Sequence, residues 1–108
     1  MLNDREFDVL NILWKTQEPM TSTDIVNEMR GLTQSTVIAV LRNLLKDELV
    51  EVNGVTHSGK VLSRTYRPTE KSKEVILNDF VELYERFRAV VPADQLVQEI
   101  LKVGKSKE

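Results

Sequence analysis

Apolar residues recur at helical spacing in three successive segments at the start of the chain. These segments run from Asn3 to Lys15, from Thr21 to Arg30 and from Thr33 to Asp47. Steps of three and four between apolar residues predict amphipathic helices. The residues expected on their buried faces are Phe7, Leu10, Leu13 and Trp14 in the first, Ile25, Val26 and Met29 in the second, and Val37, Val40, Leu41, Leu44 and Leu45 in the third.

Polar residues at the segment starts predict where the helices begin. Asn3 is followed three residues later by Glu6, the spacing of a capping box, and Thr33 is placed to cap the third helix. Only residues 31–33 separate the second and third helices, and Gly31 lies among them. A short link that contains glycine is typical of a helix-turn-helix.

The segment from Leu49 to Arg67 is rich in β-branched residues and predicts two strands. A cluster of turn-forming residues at 56–60 interrupts it, which predicts a hairpin with its tip near Ser58-Gly59. Asn53-Gly54 is a second turn signal, so the loop could also start earlier. Pro68 closes the second strand.

Two further helices are predicted, from Glu70 to Val91 and, after Pro92, from Ala93 to Val103. The longer one carries a heptad-like apolar seam that ends at Val90. A chain this small offers little core for so wide an apolar surface, so we expect a second copy to cover it. The residues predicted to form this dimer contact are Ile76, Phe80, Leu83, Tyr84, Phe87, Leu96 and Ile100.

The predicted order is helix, helix, helix, hairpin, long helix, short helix. This is a mostly α fold with a small β-hairpin (α+β), in which a winged helix-turn-helix domain precedes C-terminal dimerisation helices. We place the winged helix at residues 1–68 and the helical extension at 69–108. A chain of 108 residues is too short for a separate catalytic domain beside a binding domain.

Composition excludes several kinds of site. The chain has no cysteine and one histidine, which excludes a disulfide framework, a thiolate zinc site and a Cys nucleophile. His57 lacks the partners of a metal site or a catalytic triad, so we expect neither catalytic residues, nor metal, nor cofactor.

No apolar run approaches the length needed to span a bilayer, and no N-terminal leader pattern is visible. We therefore expect a cytoplasmic protein without a membrane partner.

Charge is distributed unevenly along the chain. The formal net charge is −2, which excludes a strongly basic protein. Residues 1–51 hold five bases and nine acids, a charge of −4, whereas residues 52–73 hold five bases and one acid, a charge of +4. Binding to nucleic-acid phosphates needs a local positive patch of this kind. The hairpin and the residues after it are therefore the candidate phosphate-binding region.

The stretch from Thr33 to Leu44, the pair Leu49-Val50 and the strand end Tyr66-Arg67-Pro68 resemble the signature of the penicillinase repressor (BlaI/MecI/CopY) family. The opening from Glu6 to Trp14 also fits that family's pattern. The resemblance implies a homodimeric winged-helix repressor that binds operators with dyad symmetry. It also implies that the C-terminal helices form the dimer.

The chain departs from the family pattern at several positions. Ala39 replaces a threonine, Asn43 stands where arginine is usual, and Lys46-Asp47-Glu48-Leu49 replaces a basic corner that contains glycine. The copper-responsive branch binds metal through cysteines, which this chain lacks. The β-lactam-responsive branch is cleaved at an Asn-Phe bond, whose nearest counterpart here is Arg86-Phe87. The inducer or upstream sensor is therefore left open.

The exposed face of the third helix is the candidate reading surface for a DNA operator. Gln and Asn can pair with adenine and Arg with guanine in the major groove, where the start of such a helix reaches base edges. We predict a sequence-specific repressor, with helix 34–47 in the major groove and hairpin 49–67 as the wing; the alternative is a winged helix used only for protein–protein contact. The predicted DNA-binding residues are Thr33, Gln34, Ser35, Thr36, Ile38, Ala39, Arg42, Asn43, Lys46, Lys60, Arg64 and Arg67.

Overall fold

The computed structural model describes residues 1–106, with Ser58 and Ser106 described by their backbone alone. The element order confirms the predicted α+β arrangement of three helices, a hairpin and two more helices. Residues 107 and 108 of the predicted extension lie outside the described residues. The elements are α1 (Asp4–Thr16), α2 (Ser22–Glu28), α3 (Gln34–Lys46), β1 (Val50–Ser58), β2 (Val61–Pro68), α4 (Glu70–Arg86) and α5 (Ala93–Ser106).

The chain forms two compact units, one from Met1 to Ile76 and the other from Leu77 onward. The first unit holds a core built from α1, α2, α3 and the start of the hairpin. Apolar side chains at the predicted helical spacings fill it, because each helix turns one apolar stripe inward. The buried core residues are Val9, Leu10, Ile12, Leu13, Met20, Ile25, Leu32, Val37, Val40, Leu41, Leu44, Leu49 and Val50.

The predicted caps begin the first and third helices. The Asn3 Oδ1 accepts the Glu6 N–H at 2.8 Å, and the Glu6 carboxylate accepts the Asn3 N–H at 3.0 Å, which completes a capping box. Thr33 caps α3 by accepting the N–H of Thr36 at 3.2 Å. A cap of this kind is worth about 1 kcal/mol, because it satisfies a backbone donor that the helix itself cannot.

The hairpin is antiparallel, with Ser58 opposite Val61 at its tip as predicted. Asn53-Gly54 does not form a turn: β1 continues through it, with a shift in register between Val52 and Gly54 that marks a β-bulge. A bulge inserts one extra residue and bends the strand without ending it. Asn53-Gly54 therefore marks a local irregularity within β1, and the alternative in which the hairpin loop starts at this pair was wrong.

A two-residue bridge joins the loop after α1 to the second strand. Met20 and Tyr66 exchange backbone hydrogen bonds of 3.0 and 2.8 Å. The half-buried Tyr66 side chain also packs against the core. The hairpin is thereby fixed to the helical body at the base of β2.

The second helix is shorter than its periodicity predicted. It ends at Glu28, and Met29 has extended backbone angles, φ −143° and ψ 125°. The prediction that Met29 lies on the buried face was wrong, because its side chain leaves the helical stripe and is 36% exposed. Ile25 is fully buried and Val26 partly buried, as expected.

The fourth helix also ends early. Its last residue is Arg86, and the chain then turns through hydrogen bonds from the Val90 and Val91 N–H groups to the carbonyl of Phe87, each 2.9 Å long. Phe87 and Val90 were predicted on the helical seam but lie in this turn. Pro92 restricts only Val91, the residue before it, and so does not account for an end at Arg86. Hydrogen bonds between residues three apart, such as the one from the Phe87 N–H to the Tyr84 carbonyl at 2.9 Å, tighten the chain at this point. The last helix is longer than predicted and reaches Ser106.

Candidate nucleic-acid interface

The start of α3 is tied to the start of α2. The Gln34 Nε2 donates to the Ser22 Oγ at 2.6 Å, and the Thr33 Oγ1 donates to the Thr36 Oγ1 at 2.9 Å. The Thr33 and Ser35 hydroxyl oxygens also lie within hydrogen-bond distance, at 3.3 Å. Four of the predicted DNA-binding side chains are therefore engaged within the helix-turn-helix itself. These hydrogen bonds fix the orientation of the start of α3 relative to α2. The side-chain carbonyl oxygen of Gln34 stays available as an acceptor.

The rest of α3 presents an exposed surface opposite the core. Val37, Val40, Leu41 and Leu44 are buried, which turns the predicted reading residues to the other side. Ile38 is 44% exposed, an apolar side chain on a polar face. We call this surface the outer face of α3; it consists of Ser35, Ile38, Ala39, Arg42, Asn43 and Lys46, all exposed.

Cations on and near this face differ in how they are paired. Among residues 1–106, Arg42 and Lys46 have no acidic side chain within ion-pair distance, and the same holds for Lys60 and Arg64 on the hairpin. Arg67 is different, because its Nε donates to a Glu51 carboxylate oxygen at 2.6 Å. Four of the five predicted cationic contacts are thus available to an external anion.

The two hairpin arginines lie on opposite faces of the sheet. Arg64 is opposite Val55 and Arg67 is opposite Glu51 in the strand register. Since side chains alternate along a strand, residues three apart point to opposite faces. Arg64 shares its face with Tyr66, which packs against the core, whereas Arg67 lies on the other face. A single DNA backbone running along one face of the hairpin can meet only one of them.

The start of α1 lies beside the outer face of α3. Asn3, Asp4 and Arg5 share the walls of one shallow cleft with α3 residues. The sequence pattern gave no sign of this neighbour, because periodicity assigns residues to faces within a helix and says nothing about which helix starts lie together. The α3 residues in the cleft are Thr36, Ala39, Val40 and Asn43.

Trp14 has a structural role, although it is only partly buried and is not one of the buried core residues as predicted. Its Nε1–H donates to the Ser72 Oγ at 2.9 Å, and that buried hydroxyl donates to the Thr69 carbonyl at 2.6 Å. The Lys73 Nζ lies 4.7 Å from the centre of the indole ring, a cation–π contact. The tryptophan thereby fixes the start of α4 to α1.

The unit from Leu77 onward exposes a large part of its apolar side chains. Phe80 is 60% exposed and Ile100 is 57% exposed, and Leu83 and Phe87 are also exposed. Tyr84 and Leu96 are half-buried, and the Tyr84 hydroxyl donates to the Val91 carbonyl at 2.9 Å. Ile76 differs from the other predicted dimer residues, because it packs against the core of the first unit.

Two structural features bear on other kinds of site. Within residues 1–106, no group of three or more His, Cys, Asp or Glu side chains is placed to hold a metal ion. The same stretch contains no helix that combines the length and hydrophobicity needed to cross a bilayer.

The Arg86-Phe87 bond is the nearest counterpart of the bond that is cleaved in the β-lactam-responsive branch. It lies where α4 ends.

Residues 2–106 match the family model described as the penicillinase repressor. The chain belongs to the penicillinase repressor family. This membership covers nearly the whole chain and confirms the resemblance seen in the sequence. It makes the protein a DNA-binding transcriptional regulator of the repressor type. No curated protein matches the chain significantly in sequence.

Solved structures of other regulators share the fold of this penicillinase repressor family member. A MepR variant from a multidrug-resistant S. aureus clinical isolate is 21% identical, with 97% of this chain and 76% of that chain covered and a TM-score of 0.61. Bacillus subtilis PadR in complex with operator DNA is 15% identical, with coverage of 94% and 70% and a TM-score of 0.58. At these identities the likeness shows the winged-helix fold alone.

Proposed function

We propose that the protein is a homodimeric repressor that binds a dyad-symmetric operator. In this proposal α3 enters the major groove and the hairpin acts as the wing. The observation that carries it is the outer face of α3, which is exposed and whose Arg42 and Lys46 have no acidic partner among residues 1–106, on a chain of net charge −2. A positive surface without internal partners in an acidic protein is the arrangement that phosphate binding requires.

The roles of the α3 residues follow from their hydrogen bonds. Arg42 and Asn43 have free polar groups and are proposed to contact base edges, for which Arg suits guanine and Asn suits adenine. Ile38 and Ala39 are placed to meet a thymine methyl group. The residues at the helix start, Thr33, Gln34, Ser35 and Thr36, set the orientation of α3 and are proposed to reach base edges and the nearest phosphates, since the start of such a helix meets the bases.

Phosphate contacts are proposed for Lys46 on α3 and for Lys60 and Arg64 on the wing. Arg67 was predicted in the same role, but its ion pair with Glu51 reduces its availability. That pair is exposed, so it contributes roughly 0–1 kcal/mol and can exchange for a phosphate at small cost. We therefore expect Arg64 to contribute more to DNA affinity than Arg67.

Dimer formation is proposed through the unit from Leu77 onward. Its exposed aromatic and aliphatic side chains have no cover within the described chain, and contiguous surfaces of this kind mark interaction sites. A second copy buries the same residues on both sides, since twofold interfaces are self-complementary. Two α3 helices would then address half-sites about 34–36 Å apart, one turn of DNA.

The alternative of a winged helix for protein contact rests on the acidic first helix, the low isoelectric point and the acidic corner Asp47-Glu48 at the end of α3. In the structure Glu51 is paired with Arg67, and Glu48 lies 3.8 Å from the Lys71 Nζ. These carboxylates are partly neutralised within the chain. The outer face of α3 is therefore a stronger interaction surface than the acidic corner, which favours DNA over a basic protein partner.

Selection of bound duplexes from a random DNA pool tests the proposal directly. We expect an enriched palindrome, bound by two chains, whose affinity falls steeply as salt rises. Counterion release makes the slope of log K against log salt about −0.9 for each phosphate contacted. A folded dimer that enriches no sequence would refute operator binding, and a monomer by light scattering would refute the dimer.

A further inference from the structure

Arg5 is a cation beside the outer face of α3 that has no role in the fold described so far. It lies in the first turn of α1, whose start is fixed by the capping box at Asn3. Arg5 lines the shallow cleft that also contains Ala39 and Asn43, two residues of the outer face. The small side chain at Ala39 leaves that cleft open to the surface on which DNA is proposed to bind.

The Arg5 guanidinium is only weakly held. Its Nη1 lies 3.2 Å from an Asp8 carboxylate oxygen one turn along α1, and the Arg5 side chain is 45% exposed. Exposed ion pairs between residues three apart on a helix contribute little to stability. A DNA phosphate can therefore replace Asp8 as the partner without disturbing the helix.

Groove dimensions indicate what Arg5 would meet. An α-helix with its side chains is about 10–12 Å across, and the major groove is about 12 Å wide. A helix in the groove fills it, so an element packed beside that helix faces the phosphates that border the groove. Since the start of α1 flanks the outer face of α3, Arg5 would lie over one of these two backbones when α3 occupies the groove.

We infer that Arg5 is a further DNA contact, made from α1 to a phosphate at the edge of the major groove. The inference rests on the proposed function, because it requires α3 to occupy the groove. Asp4 lines the same cleft and opposes the same phosphate. The two neighbours therefore have opposite effects on binding, and removal of either charge has a defined sign.

The test compares variants on the operator selected with the full chain. Arg5→Ala should weaken binding by on the order of tenfold near 0.1 M salt, because each dimer loses two charged contacts. The salt slope should become shallower by about 2.

Arg5→Lys should keep the slope, and Asp4→Asn should tighten binding. Lys15→Ala is the matched control, a change of one cation at the other end of α1, and should leave binding within twofold.

A second variant locates the effect. Because Asp4 and Arg5 line the same cleft, Asp4→Lys added to Arg5→Ala should restore most of the lost slope. Failure of this rescue would overturn the assignment to the cleft. Thermal unfolding confirms that each variant is folded.

Comparison with Arg42 separates the inference from the proposed function. If Arg42→Ala abolishes operator binding and Arg5→Ala stays within twofold of the parent chain, Arg5 is not a contact and the repressor function stands. If no duplex is selected, or if Arg42→Ala and Arg5→Ala both leave binding unchanged, α3 does not occupy the groove and both proposals fail.

Discussion

The corner after α3 places a glutamate where the backbone favours glycine. Glu48 has φ 62°, in the left-handed region. Around it the Glu48 N–H donates to the Leu45 carbonyl at 3.1 Å and the Leu49 N–H donates to the Leu44 carbonyl at 2.8 Å. This pair of bonds is the Schellman motif, in which the residue after the cap is most often glycine. Glu48→Gly should therefore stabilise the protein.

The expected gain follows from three contributions. A residue with a Cβ loses about 1–2 kcal/mol in the left-handed conformation, which glycine avoids. Glycine also lowers the free energy of unfolding by about 0.4–1 kcal/mol, because it gives the unfolded chain more conformational freedom. The Glu48–Lys71 pair, at 3.8 Å and exposed, adds at most a few tenths of a kcal/mol to the parent. The net stabilisation should be about 0.5–1 kcal/mol.

Glu48→Ala is the control that separates backbone strain from charge. It removes the carboxylate but keeps the Cβ, so its stability should equal that of the parent or fall slightly. Thermal unfolding at one fixed protein concentration should place the glycine variant about 4 °C above the alanine variant, since about 1 kcal/mol shifts Tm by that amount in a domain of this size. The Thr69 hydroxyl donates to the backbone carbonyl of Glu48, so that bond is unaffected by either change.

A glycine variant no more stable than the alanine variant would refute this reasoning. It would mean that the left-handed conformation is held without cost, or that residue 48 relaxes into another one in solution. Gln17, with φ 61° at the end of α1, offers an independent instance of the same conformation. Gln17→Gly should shift Tm in the same direction, and the two gains should add because the sites share no partner.

Three further predictions test other parts of the structure. Arg64→Ala should reduce the salt slope of operator binding by about 2 per dimer, whereas Arg67→Ala should reduce it by less, because its guanidinium is already paired; equal slopes would contradict the difference. Phe80→Asp combined with Leu83→Asp should give a folded monomer by light scattering, with operator affinity reduced at least a hundredfold; an intact dimer would move the interface elsewhere. Trp14→Phe should cost about 1 kcal/mol in unfolding free energy through the lost indole hydrogen bond, and an unchanged Tm would show that this bond contributes nothing.

Features set by local sequence were predictable. The capping box at Asn3, the cap at Thr33 and the hairpin tip depend on residues within a few positions of one another, so their side-chain chemistry is legible along the chain. The buried face of α3 was equally clear, because apolar periodicity reports burial directly. The outer face followed as its complement.

Features set by tertiary packing were not predictable. The chain gives no local sign that Arg5 lies beside Ala39, or that Ile76 turns inward to the first core. Each depends on which elements pack together. The early end of α4 was not predictable either, because the apolar seam continues past Arg86 to Val90 and Pro92 comes only after it.

The departures from the family pattern acquire a physical interpretation in this structure. Loss of a basic residue at Asn43 and of a basic corner before Leu49 removes positive charge from α3 and its end. Among residues 1–106, cations without an acidic partner lie on α3 and on the hairpin, and they include Arg42 and Arg64. The weakly paired Arg5 lies on α1, beside α3. In the proposed complex, phosphate binding is therefore spread over three elements of the fold. Since each of these elements is held by its own caps and core contacts, DNA affinity should depend on their correct assembly as much as on any single charge.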